Sequence, residues 1–561
     1  MKKWEFYKTD ESLVKQIVKK FNIPEILATV IVNRGIIKDE DIKIFLNPTR
    51  NNFHNPYLMP DMKQAIDRIM QAIENKDKVI IYGDYDVDGI TSITVLHKFL
   101  KERGLETGYY IPNRLSEGYG LNKIAIKKIA DEGYQLIITV DCGISGLEEI
   151  EYANKLGMEV IVTDHHEPLD ILPKALAVID CKRKDNTYPF NSLAGVGVAF
   201  KVIQAISQRL NLDEKSYLKY LDIVCIGTIS DIVPLIDENR VIAKLGLKLA
   251  EVTKNPGLKS LILASGYKEI NSNTVSFGIA PRINACGRMG HEIDALNLFL
   301  TDNKDEVLKI TEDLNFYNRE RQDIEKRIFE EVISEIETKN LKKKNAIVVG
   351  KENWHHGVIG IVSSKITDLF FKPSILVCFD GNEGKGSGRS VPGFDLHDAL
   401  CKSSKYLEKY GGHEMAVGLS LKKDKFKEFS EKFEEIAKNA HTEEIISVVK
   451  IDKEITLKDI TKETVESLKS LEPFGEANKT PIFIYKNLRI DSIRALTEGK
   501  HLKITLKDGN SIINAIGFNL GALANEYLIG DKVDVLGILE LNSYGGVDTV
   551  QLNIKDIRKS Y

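Results

Sequence analysis

The sequence predicts an α/β protein. A doubly wound, mostly parallel sheet comes first, then a long connecting helix, a second, smaller α/β domain and a C-terminal OB-like β-barrel. Three observations predict this. From about residue 60, short apolar strands alternate with helices of about ten residues. Residues 301–344 carry one unbroken apolar stripe at 3/4 spacing. The last 110 or so residues then hold five short strand-like runs.

The chain has 561 residues, enough for three or four domains at roughly 150 residues each. Lys and Arg number 78 against 82 Asp and Glu, a net charge of -4, which excludes a globally basic nucleic-acid coat and a strongly acidic tail protein. At 43% hydrophobic and 29% charged, the composition excludes long disorder. The six cysteines form no C-x-x-C pair, so neither a disulfide framework nor a zinc ribbon is expected and a reducing compartment is. No apolar run reaches about 18 residues, and residues 1–10 lack the apolar stretch of a signal peptide. No membrane association and a cytoplasmic location are the expectation.

In chain order, residues 1–50 read as a helical extension of short helices. A core over 51–300 follows, with helices at 65–74, 91–103, 121–131 and 147–156. Its strands fall at 78–82, 109–111, 136–140 and 159–163. The apolar run 221–230 also reads as a strand. In the connecting helix, 301–344, the stripe is Val307, Ile310, Leu314, Tyr317, Ile324, Ile328, Val332 and Ile336. Arg321 breaks it, either as an arginine snorkelling past the core edge or as a charge facing a cleft. The smaller α/β domain, 345–445, has strands at 345–349 and 374–379 around a helix at 358–369. The barrel, 446–561, has strands at 482–490, 502–507, 511–518, 532–539 and 549–554, with Asp508-Gly509 as a hairpin turn. Residues 450–561 balance 16 basic against 16 acidic groups, but 486–507 carry six basic and two acidic, a local face suited to a polyanion.

Four apolar segments end in acidic residues: Asp84, Asp86 and Asp88 after 78–83, Asp141 after 136–140, Asp164-His165-His166 after 159–163, and Asp231 after 221–230. In an open parallel sheet the carboxyl ends of the strands share one rim, where ligands bind. Carboxylates gathered there repel unless a cation neutralises them. Oxygen donors with an imidazole or two suit Mn2+ or Mg2+ and lack the thiolates of structural zinc. The Asp84-to-Gly89 run opens like an EF-hand loop, but position 12 would be Val95 where a bidentate Glu is required. His166 reads equally as a ligand or as support beside the ligands. Two such metals activate water for attack on phosphorus, so metal-dependent phosphoester or phosphoanhydride hydrolysis follows.

Taken together, Asp84-Tyr85-Asp86-Val87-Asp88-Gly89, Asp141, Asp164-His165-His166 and the Gly227-to-Leu235 segment ending Asp231-Ile232-Val233-Pro234-Leu235 resemble the DHH phosphoesterase family. Further runs resemble the single-strand-specific 5′→3′ exonucleases within it. These are Ile111-Pro112-Asn113-Arg114 with Glu117-Gly118-Tyr119-Gly120, Arg282-Ile283-Asn284-Ala285-Cys286-Gly287-Arg288, Trp354-His355-His356-Gly357, Gly386-Ser387-Gly388-Arg389-Ser390, Gly411-Gly412-His413 and Glu472-Pro473-Phe474-Gly475.

The resemblance implies that Asp84, Asp86, Asp88, Asp141, His165 and Asp231 hold two Mn2+ or Mg2+ ions, with Asp141 as the bridge. Asp84, His166 and His413 are the candidates for catalytic work beside them. The Gly386–Ser390 run is expected to form an anion nest in which glycines let backbone N–H groups face one phosphate and Ser387, Arg389 and Ser390 add donors. Arg114 and Arg389 are assigned to the 5′ end, Arg282 and Arg288 to backbone phosphates, and Asn284 and Gln322 to further hydrogen bonds. One of His355 and His356, at a helix start, is expected to assist. Tyr119 and Phe474 are possible base stackers. The implied substrate is single-stranded DNA with a 5′ end, degraded to 5′-mononucleotides in repair and recombination, with a helicase and a single-strand-binding protein as expected partners. The competing readings are another phosphohydrolase of the same family, acting on pyrophosphate, cyclic dinucleotides or short oligonucleotides, and a non-catalytic DNA-binding scaffold.

Overall fold

Val79–Gly83 is buried at every position, as is Leu136–Val140. Such continuous apolar strands are stable only when helices cover both faces of their sheet. The computed structural model, which describes residues 2–114, 117–440, 447–542 and 549–560, shows that arrangement. Its contacts divide the chain into two compact units. One comprises His54–Asp231 and Gly246–Ser447, the other Met1–Phe53, Ile232–Leu245 and Val448–Tyr561.

The first unit contains a five-stranded, wholly parallel sheet. Its order is Thr107–Tyr110, Val79–Gly83, Leu136–Val140, Glu159–Asp164 and Ala177–Asp180. In register, Gly83 pairs with Val140 and Val140 with Thr163, so these strands end level. Helices Lys123–Asp131 and Leu147–Lys155 cover one face through Ile126, Ile129 and Ile150. Helices Val87–Lys101 and Gly195–Arg209 pack together on the other.

Leu221–Ser230 is a helix, not the strand the sequence suggests. All of Leu221 to Ile229 is buried, so no polar face marks the 3.6-residue period, and a short apolar run does not distinguish helix from strand. Gly227 lets this helix lie close to its neighbour, for a Cβ there would stand 2.3 Å from Thr91 Oγ1. The long helix runs Lys304–Thr338, 35 residues, shorter at both ends than expected. It buries Val307, Ile310, Leu314, Ile328, Val332 and Ile336. Arg321 remains in its stripe, bonded to Asn318 Oδ1 (2.6 Å) and paired with Glu325.

Beyond it lies a five-stranded mixed sheet ordered Lys409–His413, Ala416–Lys422, Glu383–Arg389, Ser374–Asp380 and Ile347–Glu352. Helices His356–Phe370 and Phe426–Ala440 pack on it. The expected boundary at 445/446 lies outside the described residues.

In the second unit, strands Phe483–Leu496, His501–Asp508, Ser511–Gly517, Thr549–Lys559 and Lys532–Asn542 pair in that order, and the last pairs back to the first. This closes a five-stranded barrel, which leaves no edge exposed. Asp508 pairs with Ser511 across the expected turn, where Gly509 has φ 57°. Residues 1–50 do not stand apart as an extension. Lys3–Phe6 is a strand paired with Val448–Ile451, and helices Glu11–Phe21, Glu25–Asn33 and Asp39–Leu46 bury Val14, Val30 and Ile42 in the barrel's core.

Candidate metal centre and nucleic-acid interface

The level strand ends gather the acidic residues as expected, with one change: Asp231 arrives as the C-cap of a helix. Asp84 follows Gly83 and is 4% exposed. Asp86 caps the Val87–Lys101 helix, its carboxylate accepting from Gly89 N–H at 3.0 Å. Gly89 is required there, because a Cβ would lie 2.3 Å from the Asp84 carbonyl oxygen. Asp88 is in the first turn, where its two oxygens accept from Gly195 N–H (2.7 Å) and Val196 N–H (2.8 Å) at the start of another helix. Asp141 leaves its strand with φ 58°, a sparsely populated conformation for a residue with a side chain, and such strain concentrates at functional sites.

His165 is the hub. Its ring bonds the Leu193 backbone, which leaves Nε2 without a hydrogen-bond partner. That atom lies 3.0 Å from Asp141 Oδ1, 3.6 Å from Asp231 Oδ2 and 3.7 Å from Asp88 Oδ2. Donor atoms of Asp84, Asp86 and Asp141 fall within 4.8 Å of one another, as do those of Asp88, His165 and Asp231. Asp141, His165 and His166 form a third such group. Asp141 and His165 are each common to two groups, so the three groups form one connected cluster.

The electrostatics favour a cation. Burial, then the charges of Asp88, Asp86, Asp84 and Asp231, push the Asp141 carboxyl far above its ordinary range. Burial and Asp86 do the same to Asp84, whose Oδ1 is buried without a partner. Asp88 is raised to about 7 and Asp231 to about 9, in each case first by burial. Burial and the charge of His166 push His165 down to about 3, so it is a neutral donor. A neutral imidazole and several buried carboxylates, with orphaned donor atoms between them, are the ligand set of Mn2+ or Mg2+.

His166 stands beside this group. Its Nδ1 is 2.7 Å from Asp164 Oδ1, and Nε2 is 3.3 Å from the Tyr119 hydroxyl. Burial opposes its charge, but the hydrogen bond and charge of Asp164, with Asp231 and Asp88, raise it to about 9. Tyr119 also reaches the Asp141 carbonyl at 3.4 Å. Three contributors were missed in the sequence: Asp164 as the anchor of His166, the Tyr119 hydroxyl, and the Gly195-Val196 amides. The last left a signal, the small-residue run Ala194-Gly195-Val196-Gly197. A Cβ on Gly195 would stand 2.7 Å from Asp141 Cβ.

Three family models match the chain: the DHH family N-terminal domain over residues 78–228, the DHHA1 domain over 343–439 and the RecJ OB domain over 451–556. The single-stranded-DNA-specific exonuclease RecJ of Bacillus subtilis is 39% identical over 99% of this chain and 70% of its own length. The chain belongs to the RecJ family. RecJ of Dickeya dadantii is 31% identical over 96% of both chains. Among solved structures, RecJ of Thermus thermophilus in complex with Mn2+ superposes with a TM-score of 0.88 at 28% identity, covering 100% of this chain and 80% of that one. The same RecJ in complex with Mg2+ gives 0.80 at 27% identity, over 100% and 79%.

The residues expected to bind DNA divide. Arg288 donates to the Gly357 carbonyl at 2.8 Å, and burial, then the charges of Arg114, Arg321 and Arg389, bring it down to about 9. These arginines therefore converge. Arg114 stacks over Tyr85 at 4.8 Å. Asn284 is half-buried on the same helix as Arg288, and Gln322 is exposed on the long helix.

Three expectations need correction. Arg282 is tied into helix packing, donating to Asn315 Oδ1 (2.7 Å), Ala264 O (2.9 Å) and Gly278 O, so its guanidinium is not presented to a phosphate. Gly386–Arg389 is not a nest but part of the strand Glu383–Arg389, its backbone engaged by strands on both sides. The glycines sit beneath cross-strand neighbours, a Cβ on Gly386 meeting Leu419 at 2.8 Å. Ser390 turns away, its hydroxyl donating to Phe394 O at 2.6 Å. His413 ends an exposed edge strand rather than a turn. Among the described residues no hydrogen bond or ion pair joins it to the carboxylates.

Proposed function

We propose that the protein is a metal-dependent exonuclease that removes 5′-mononucleotides from the 5′ end of single-stranded DNA. The observation that carries the reading is the meeting of six side chains from four segments around His165 Nε2 and Asp141, in a chain of the RecJ family. Bound there, two Mn2+ or Mg2+ ions supply a hydroxide-like water and neutralise charge on the phosphoryl oxygens. Asp84, Asp86, Asp88, Asp141, His165 and Asp231 would hold the two ions between them. His166, kept cationic by Asp164 and half-open to solvent, donates to the scissile phosphate as negative charge develops. His413 is retained as a second candidate donor.

The 5′ end is read by Arg114, Ser387 and Arg389, with Arg288 nearer the metals and Asn284 and Gln322 along the strand. On the barrel, Arg494 pairs across to Lys503. Beside them a Ser492–Thr505–Asn514 hydrogen-bond ladder runs over three strands, at 2.9 and 3.2 Å. With Lys507 this face suits a phosphate backbone and tolerates any sequence. A cytoplasmic enzyme fed by a helicase and a single-strand-binding protein completes the reading. No helix among the described residues is long and apolar enough to cross a membrane.

The test uses 5′- and 3′-labelled linear strands and single-stranded circles with Mn2+. The 5′ label should be released first as a mononucleotide and circles should survive. Rapid cutting of circles would refute an end-dependent enzyme.

A further inference from the structure

The run Trp354-His355-His356-Gly357-Val358-Ile359-Gly360 opens the helix His356–Phe370. His355 is its N-cap but makes no side-chain cap bond. Nδ1 of each imidazole is buried without a partner, an arrangement that folded proteins avoid unless something else fills it. The two rings face different charges. Burial lowers His355, and the charge it meets is Glu320. Burial, then Lys385, Arg114 and His355, push His356 down to about 4, so its ring is neutral among cations.

Those cations form one surface. Along Glu383–Arg389, Lys385, Ser387 and Arg389 alternate with buried Gly384, Gly386 and Gly388, so the three share a face. The helix meets that face at Gly360, where a Cβ would lie 2.9 Å from Ser387 Oγ and 3.3 Å from Arg389 Nη2. At Gly357 a Cβ would lie 2.7 Å from the Arg288 carbonyl oxygen. Two glycines thus bring the first turns of the helix down onto the segments bearing Arg288, Ser387 and Arg389. Arg321 has Glu325 as its counter-ion. Among the described residues, Arg114, Arg288 and Arg389 form no ion pair with a carboxylate, although Arg114 also feels the charge of Asp84, and their gathered like charge is one that an anion would relieve.

We propose that His356, on the same helix face as Gly360 one turn away, is a ligand of the strand's 5′-terminal phosphate beside Arg114, Ser387 and Arg389. The proposal rests on the reading of the protein as an exonuclease that grips a 5′ end. An uncharged imidazole adds a directed donor without adding a further like charge to the guanidinium groups, and the open first turn of the helix favours the same anion.

The experiment is fluorescence anisotropy on the full chain with EDTA present, so that no strand is cut. The probes are one oligothymidylate with a 5′-phosphate and one with a 5′-hydroxyl. The wild type should prefer the phosphorylated strand. His356→Ala should lose about tenfold in affinity for that strand and stay within about twofold for the hydroxyl strand. His356→Gln should fall between, and carries the test if thermal unfolding shows that the alanine variant does not fold. His355→Gln should leave both affinities unchanged. The proposal is overturned if the His356 variants keep the wild-type ratio, or weaken both strands alike. If the wild type itself shows no phosphate preference, the 5′ pocket falls with it. If the wild type prefers the phosphate and the variants do too, only the role of His356 falls.

Discussion

His165 Nε2 and Asp141 Oδ1 face one another at 3.0 Å, and the nitrogen has no hydrogen-bond partner among the described residues. The imidazole is neutral, and its other nitrogen is engaged by the Leu193 backbone. A bare imidazole nitrogen and a carboxylate held this close, inside a sheet rim, share a proton or a cation, and the donor set suits Mn2+ or Mg2+.

Asp141→Ala should therefore lower turnover on linear single strands by on the order of 10³-fold or more. Binding of the same strand, measured by anisotropy, should change little. Asp86→Ala is expected to behave alike. Substantial turnover in either variant would show that the ligands have been wrongly assigned.

Asp164 acts through His166. Its carboxylate accepts from His166 Nδ1 at 2.7 Å, from His165 N–H at 2.7 Å and from Ile144 N–H at 2.9 Å. Asp164→Asn keeps the shape but removes the charge that holds His166 protonated. The expected loss is roughly 10–100-fold, the range for groups that orient metal ligands, and it should appear in kcat with KM little changed. The alkaline limb of the kcat profile should move to lower pH, since the His166 imidazolium loses its anchor.

The metal-free protein should lose stability as pH rises from 6.5 to 9. Asp88 and Asp231, raised to about 7 and about 9, hold protons in the fold that the unfolded chain has released, so each favours the fold less as pH climbs. His166, raised from 6.5 to about 9, contributes fully below 6.5 and loses that contribution through 9. His165, lowered from 6.5 to about 3, gains stability only between those values and is spent above 6.5. Above pH 6.5 the changes at Asp88, Asp231 and His166 all run one way. Urea unfolding with chelator at pH 6.5 and 9 should show the fall. Mn2+ should restore more stability at pH 9, and its uptake at pH 6.5 should release protons. A pH-independent chelated protein would contradict the clustering.

Gly227→Ala tests the helix that replaces the expected strand. The new Cβ would press on Thr91 Oγ1 at 2.3 Å and lie 3.1 Å from Asp88 Oδ1. The expected cost is about 1–3 kcal/mol of stability, with weaker Mn2+ binding. A variant as stable and as tight-binding as the wild type would show that this close approach is unimportant.

The sequence carried the fold wherever periodicity and punctuation were strong. Leu136–Val140 is a buried parallel strand with the expected bounds. The five barrel strands start within a residue of the expected positions and the Asp508-Gly509 turn falls as expected, but the first strand runs on to Leu496 and the last to Lys559. The helix Leu221–Ser230 was illegible because burial on all sides erased its polar face. Strand Lys3–Phe6 was hidden because its partner, Val448–Ile451, lies some 440 residues away, and no local pattern reports such a pairing.

Among the site residues, the clustering of the carboxylates and His165 was legible because acidic residues that end neighbouring parallel strands share one rim. The arginines were not separable. Arg282 and Arg288 stand in one motif on one helix, yet one guanidinium serves Ala264, Gly278 and Asn315 while the other joins the arginine cluster. Only the angle of each side chain distinguishes them. Gly386-Ser387-Gly388 reads as a phosphate loop in sequence, but between two strands the same glycines serve close packing.

Calorimetric titration of the chelator-treated full chain with Mn2+, beside its Asp141→Ala variant, tests the metal centre most directly. Uptake of two ions by the wild type and loss of at least one in the variant is the predicted result. No uptake, or the same uptake in both proteins, would contradict it.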